Sequence, residues 1–211
     1  MVESDQFDNR ADAGKQLGAM LRTHDMDADM TLAIPRGGLP LGRTVADTLS
    51  TPLDIIVAKK IAAPKNAEYA IGAVASDGSV WRNDTAIRQT SASETYFERE
   101  REAIAEQAEQ KAIRYRGSDD FPDLTDSDVI IVDDGAATGA TIQACLNRMK
   151  KINTASVTVA LPVAPPDTIK MLEQSADSVM CLKSPQQFRG VGQFYETFEQ
   201  VSDTEAMSYL A

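Results

Sequence analysis

Four apolar residues, Val129-Ile130-Ile131-Val132, run directly into two aspartates, Asp133-Asp134, and then into Gly135-Ala136-Ala137-Thr138-Gly139-Ala140-Thr141. An uninterrupted β-branched run of that kind is a strand buried on both faces, and such strands belong to parallel sheets covered by helices. The small residues that follow let backbone N–H groups converge, and a helix is predicted at once, over 138–151. Free N–H groups at a helix N-terminus make an anion site, to which Thr138 and Thr141 add hydroxyl donors. Asp133 and Asp134 would repel a bare phosphate, so they must face another part of the ligand. Vicinal sugar hydroxyls or a Mg²⁺ ion are the natural partners. The ligand implied is a sugar phosphate. Other glycine loops fail on spacing: there is no lysine for a Walker A loop, and Gly135 and Gly139 do not form Gly-x-Gly-x-x-Gly. The bland reading of the same segment is a tight strand–turn–helix in which the glycines only pack and the aspartates only turn.

The remaining chain alternates helix and strand. Helices are predicted over 10–23, 40–49, 90–116, 138–151 and 166–174, with Ser91 or Ser93 capping the long third one, and a short helix near 204–210. Strands are predicted over 30–34, 53–58, 129–132, 155–161 and 178–182. This order predicts an α/β fold with a doubly wound, mainly parallel sheet, in one domain of 211 residues. In such sheets ligands sit beyond the carboxyl ends of the strands. Three predicted strand ends carry unusual chemistry: Pro35-Arg36-Gly37-Gly38, Lys59-Lys60 and Asp133-Asp134-Gly135. Residues 61–83 stand apart as a long, partly mobile excursion, closed by a hairpin at Asp77-Gly78.

Charge and cysteine usage narrow the function classes. The net charge is −11, from 32 acidic and 21 basic residues, which disfavours duplex nucleic acid as a partner. Adaptation of the surface to high salt and ordinary acidity remain equally open readings of that charge. Cys145 and Cys181 lie 36 positions apart, and His24 is the sole histidine, so neither a disulfide framework nor a zinc cluster is expected. No apolar run approaches the roughly 20 residues of a bilayer span, and the first residues lack the pattern of a signal peptide. A soluble, cytoplasmic protein is expected, with no membrane or nucleic-acid partner.

The pattern of four apolar residues, two acids and Gly-x-x-Thr-Gly-x-Thr resembles the phosphoribosyl-pyrophosphate (PRPP) signature of the type I phosphoribosyltransferases. The resemblance runs from about Thr31 to Asp203 and is strongest to a bacterial and archaeal subgroup of predicted phosphoribosyltransferases. Pro35-Arg36-Gly37-Gly38, the stretch from Asn66 through Val74, Val163-Ala164-Pro165-Pro166 and Gln200-Val201-Ser202-Asp203 match that subgroup's style. It implies Mg²⁺-dependent transfer of a 5-phosphoribosyl group from PRPP to a nitrogenous base, with pyrophosphate released. The alternative it leaves is a non-catalytic PRPP sensor or regulatory protein. Asp133 and Asp134 would hold the ribose hydroxyls or the metal, and residues Gly135, Ala136, Ala137, Thr138, Gly139, Ala140 and Thr141 the 5′-phosphate. Arg36, Gly37 and Gly38 would form the pyrophosphate loop, where the family often has a strained or cis peptide, assisted by Lys59 or Lys60. Residues 61–83 would be a lid, and residues 183–211 a hood over the base, with Phe188, Phe194, Tyr195 or Phe198 stacking on it. A homodimer is the family habit. Family members acting on 6-oxopurines have an aspartate where this chain has Ala137, so a hypoxanthine–guanine acceptor is disfavoured.

Overall fold

The computed structural model describes residues 6–210; residues 1–5 of the expected domain and residue 211 of the expected hood lie outside the described residues. Helix α1 (Arg10–Thr23) leads to strand β1 (Met30–Ala33), α2 (Gly38–Leu49) and β2 (Leu53–Ile55). A second group follows: β3 (Ala58–Ala63), β4 (Asn66–Ala75), β5 (Val80–Arg82), α3 (Asp84–Thr90) and α4 (Glu94–Arg116). The chain then returns through β6 (Asp128–Val132), α5 (Ala140–Ile152), β7 (Ser156–Val163), α6 (Pro166–Leu172) and β8 (Ser178–Lys183). A single 3₁₀ turn (Val191–Phe194) and α7 (Asp203–Ser208) complete the tail.

Five strands form a parallel sheet in the order β2-β1-β6-β7-β8. Its central strand β6 shows why the apolar run is uninterrupted. Ile130 and Val132 pack towards α1 and α2, against Leu17, Leu41 and Val45. Val129 and Ile131 point the other way, onto Ala144, Cys145 and Met149 of α5. Both faces are therefore covered, as a parallel sheet requires. Each residue of β6 from Val129 to Val132 is at most 1% exposed.

The run predicted as one strand over 53–58 is split between two sheets. β2 pairs parallel with β1, whereas β3 begins at Ala58 and pairs antiparallel with β4. Lys59 and Lys60 thus lie inside a separate three-stranded sheet, β3-β4-β5, and not at the end of a strand of the main one. Apolarity is continuous across the switch because Ile55, Ile56, Val57 and Ala58 are all buried. Hydrophobic pattern cannot mark such a change of sheet.

Most of the excursion 61–83 is packed sheet. Ile61, Ala63, Ile71 and Val74 share a core with Ile87 of α3 and Phe97 of α4. The Asp77-Gly78 hairpin is present: Gly78 has φ +80°, and the Asp77 carboxylate accepts from Ser79 N and Oγ at 3.1 and 2.6 Å. The helix predicted over 90–116 is two helices. Ser91, at φ 52°, ends α3, and Ser93 starts α4 by accepting from Tyr96 N at 3.1 Å. Among the described residues, no helix is long and apolar enough to cross a membrane.

Candidate active site

The carboxyl ends of β1 and β6 and the β3 strand converge on a cleft of about 380 Å³. Its floor is the segment from Asp133 to Thr141, its walls are Pro35, Arg36, Gly37 and Lys60, and Phe198 stands at its edge. All seven residues of the predicted phosphate loop line it, as do both aspartates. The Pro35–Arg36 peptide is cis.

The loop from Gly135 to Gly139 is held from outside, which leaves its inner face free. Ala136 N–H donates to Val163 O at 3.0 Å, Thr168 Oγ1 donates to Ala137 O at 2.7 Å, and Tyr195 Oη donates to Asp134 O at 2.7 Å. Ala136 is therefore not among the residues with a spare N–H, a correction to its expected role. The N–H groups of Ala137, Thr138 and Gly139 have no partner among the described residues. Gly139 caps α5 at φ +66°, and a Cβ there would lie 2.8 Å from Met171 Cε. The left-handed backbone is what favours glycine at that point, since the Met171 methyl ends a flexible side chain that can move aside.

The two carboxylates sit in different environments. Arg10 Nε donates to Asp134 Oδ2 at 2.8 Å, with side-chain exposures of 12% and 15% for the pair. Arg10 also donates to Glu199 O at 2.6 Å and lies 3.8 Å over the Phe198 ring. Asp133 has no ion-pair partner among the described residues; its Oδ1 accepts from the Asp134 N–H at 2.9 Å. Burial and the neighbouring Asp134 push its carboxyl well above the usual carboxylate range. Burial also raises Asp134, while Arg10 opposes the rise. An ideal Cβ on Gly37 would fall 2.0 Å from Asp134 Oδ2, so the carboxylate rests directly on the glycine of the facing loop.

Lys59 and Lys60 part company, because successive side chains on a strand point to opposite faces. Lys60 lines the cleft with Asp133, whereas Lys59 Nζ donates to Gln107 Oε1 of α4 at 2.5 Å, in a neighbouring cavity. Arg36 lines both, and its guanidinium bonds Asp203 of α7 at 3.1 Å. The expected stacking aromatics are mostly engaged elsewhere. Phe188 and Phe194 stack on each other at 5.2 Å and do not line the cleft. Tyr195 is buried against Phe7 at 5.4 Å and Phe198 at 5.0 Å, with its hydroxyl already committed. Phe198, 37% exposed, is the aromatic ring that lines the cleft. Arg10 has no sequence signal as a site residue, and Asp203 is marked only as the end of the Gln200-Val201-Ser202-Asp203 segment, with no role attached. Each meets its partner across 124 and 167 positions of chain.

The sequence matches the family described as "Phosphoribosyl transferase domain" over residues 5–197. It is 38% identical over 205 residues to a Mycobacterium tuberculosis protein named "Putative phosphoribosyl transferase Rv0571c", covering 97% of this chain and 46% of that protein. The chain thus spans about half the length of the curated relatives it matches. Among solved structures, TT1426 from Thermus thermophilus superposes with a TM-score of 0.81 at 35% identity, covering 97% of each chain. AQ2163 from Aquifex aeolicus shares the fold, with a TM-score of 0.53 at 12% identity over 87% of this chain and 78% of that one. The signature segment, the parallel sheet that presents it and the match along most of the sequence agree: the chain belongs to the phosphoribosyltransferase family, a family of glycosyltransferase-type enzymes.

Proposed function

We propose that the chain transfers the 5-phosphoribosyl group of PRPP to a nitrogenous acceptor and releases pyrophosphate. One observation carries this reading: a cleft whose floor combines unpartnered loop N–H groups with two carboxylates, and whose opposite wall is cationic. That sequence of donor, acceptor and cationic surfaces matches phosphate, ribose and pyrophosphate in order. The N–H groups of Ala137, Thr138 and Gly139, with the hydroxyls of Thr138 and Thr141, hold the 5′-phosphate at the start of α5. Asp133 and Asp134 accept from the ribose hydroxyls, and Arg36, Lys60 and the Gly37 backbone face the leaving group; Gly38, expected beside them, is buried at the start of α2 with its N–H donating to Ile34 O at 3.0 Å and does not line the cleft. In the transfer the anomeric C–O bond breaks, its electron pair leaves with pyrophosphate, and the acceptor nitrogen supplies the pair for the new C–N bond. Positive charge develops on the sugar between two carboxylates in a partly desolvated cleft, where such charge is stabilised more strongly than in water.

The donor set suits Mg²⁺. Hard carboxylate oxygens are present, but two alone make no closed cage, which fits an ion that shares its shell with substrate oxygens and water. Asp133, which carries no cation partner among the described residues, and Asp134 would hold it. When bound it would neutralise charge on the pyrophosphate. Phe198, at the cleft edge, is the ring placed to cover a planar acceptor. Ala137 in the loop disfavours 6-oxopurines on the resemblance given above.

The test is pyrophosphate release from PRPP and Mg²⁺ across a panel of purines, pyrimidines and simpler amines. Release with one acceptor, saturable in both substrates, is expected. No release with any acceptor, alongside micromolar PRPP binding, would establish a sensor instead.

A further inference from the structure

Arg10 opens α1, and its charge has the wrong sign for that place, since a cation at a helix N-terminus opposes the helix dipole. Its side chain is also largely buried, which adds a desolvation cost. Anchoring of the chain does not account for it. The segment before α1 is already joined to the tail by backbone bonds: Phe7 N–H donates to Phe194 O and Glu196 N–H to Phe7 O, both at 2.8 Å, and Thr197 N–H donates to Asp8 O at 3.0 Å. What the guanidinium adds is three contacts beside the cleft. Nε donates to Asp134 Oδ2 at 2.8 Å, Nη1 donates to Glu199 O at 2.6 Å, and Cζ lies 3.8 Å from the centre of the Phe198 ring. Arg10 does not itself line the cleft, whereas Asp134 and Phe198 both do.

We propose that Arg10 is a positioning residue, which fixes the Asp134 carboxylate and the Phe198 ring as one unit and so sets the sugar and the acceptor relative to each other. The inference rests on the transferase reading for those two ligand positions. Holding Asp134 by Oδ2 leaves Oδ1, to which no side chain donates among the described residues, for a sugar hydroxyl. Phe198 is confined in the same way. Arg10 covers it, Tyr195 lies 5.0 Å away, and a Cβ on Gly192 would fall 2.8 Å from its Cδ1. A lysine could serve one of the three contacts, whereas a planar, forked guanidinium serves all of them. Misplacing reacting groups by about 1 Å costs on the order of 100-fold in rate, so a side chain that touches neither substrate can govern turnover.

The experiment is calorimetric titration of the full chain with ribose 5-phosphate and, separately, with inorganic phosphate, in the absence of divalent metal. Inorganic phosphate reads the anion-binding groups without the sugar. The variants are Arg10→Met, which removes all three contacts, and Arg10→Lys, which keeps only the cation beside Asp134. We expect inorganic phosphate to bind the parent and both variants within twofold. Ribose 5-phosphate is expected to bind Arg10→Met at least tenfold more weakly than the parent, and Arg10→Lys within threefold. At saturating PRPP, Mg²⁺ and the best acceptor, Arg10→Lys is expected to release pyrophosphate at least tenfold more slowly, with KM for PRPP moving less than kcat. Unchanged ribose 5-phosphate affinity in Arg10→Met overturns the proposal, as does a parental kcat in Arg10→Lys. A parallel tenfold loss of phosphate affinity also overturns it, because the effect would then belong to the fold and not to the sugar. A parent that binds ribose 5-phosphate no tighter than phosphate overturns both readings. A parent that binds the sugar but releases no pyrophosphate with any acceptor defeats the transfer reading alone, and the binding arms then decide the role of Arg10. Should circular dichroism show Arg10→Met unfolded, Arg10→Gln, which keeps a hydrogen-bond donor without the charge, decides by the same readouts.

Discussion

Adjacent identical residues do different work at the bottom of the cleft. Asp134 has a resident cation, Arg10, at 2.8 Å, whereas Asp133 has no such partner among the described residues and is raised by burial and by its neighbour. Removing one member of a buried pair strands the other charge, at a cost of about 3–5 kcal/mol, whereas neutralising an unpaired buried carboxylate removes a penalty. Asp134→Asn is therefore expected to lower the melting temperature, and Asp133→Asn to leave it unchanged or raise it. Both substitutions are expected to weaken PRPP–Mg²⁺ binding at least tenfold, about 1.4 kcal/mol or more. Thermal melts and calorimetry on the two single variants separate these effects. Equal stability changes would show that Arg10 does not distinguish the two aspartates. The need for carboxylates here was legible from Asp133-Asp134 following an apolar strand; their unequal partners were not, because Arg10 lies 124 positions away in α1.

At the scale of elements, the β3–β4 hairpin is anchored at its root and open at its tip. Ile61, Ala63 and Ile71 are in a core with Phe97, while Pro64 and Lys65 form the turn. Tyr69 near the tip is 39% exposed and its hydroxyl bonds Gln89 at 2.9 Å. A lid that excludes water from a sugar cation needs such a tip, whereas binding of PRPP alone does not. Shortening the hairpin by removing Pro64–Tyr69 and closing it with a two-residue turn is expected to leave PRPP affinity within a few fold. Pyrophosphate release with the best acceptor is expected to disappear. Turnover that survives the deletion would remove the lid role from this hairpin. The turn at Asp77-Gly78 was readable because Asp-Gly specifies its own backbone locally. The rest of the excursion read as mobile because short alanine-rich strands have weak pattern, and their burial comes from α3, α4 and α5, which lie elsewhere in the chain.

Across the whole molecule, charge is distributed against the average. A chain of net charge −11 gathers three further cations, Arg36, Lys59 and Arg114, around Lys111, and the fold bears the cost. The sign follows from linkage: Lys111 titrates near 8 in the folded chain, against an ordinary lysine value of 10.5. Its charged form therefore destabilises the fold fully below pH 8, and the penalty fades as pH rises from about 8 to 10.5. Lys111→Met is expected to stabilise the protein at pH 7 by about 1–2 kcal/mol, allowing for solvent screening, and the gain should vanish above about pH 10. Denaturant melts of parent and variant across pH 7–10 provide the check; a gain independent of pH would assign the effect to packing. The amino-acid sequence by itself determined the strand–loop–helix that carries the phosphate loop and the acid pair. The residue types that mark that unit lie within 13 consecutive residues, from Val129 to Thr141, although Val163, Thr168 and Tyr195 hold its loop in place from elsewhere in the chain. It also pointed to the parallel sheet, since the alternation of helices with strands buried on both faces favours a sheet between two layers of helix. Only the tertiary structure decided which lysine enters the cleft, which aspartate is paired, and where Arg36 is held. Those outcomes depend on a change of sheet after Ile55 and on ends of the chain that meet across the fold. Apolar runs look the same on either side of a sheet switch, and a charged residue acquires its partner only when packing brings one within about 3 Å.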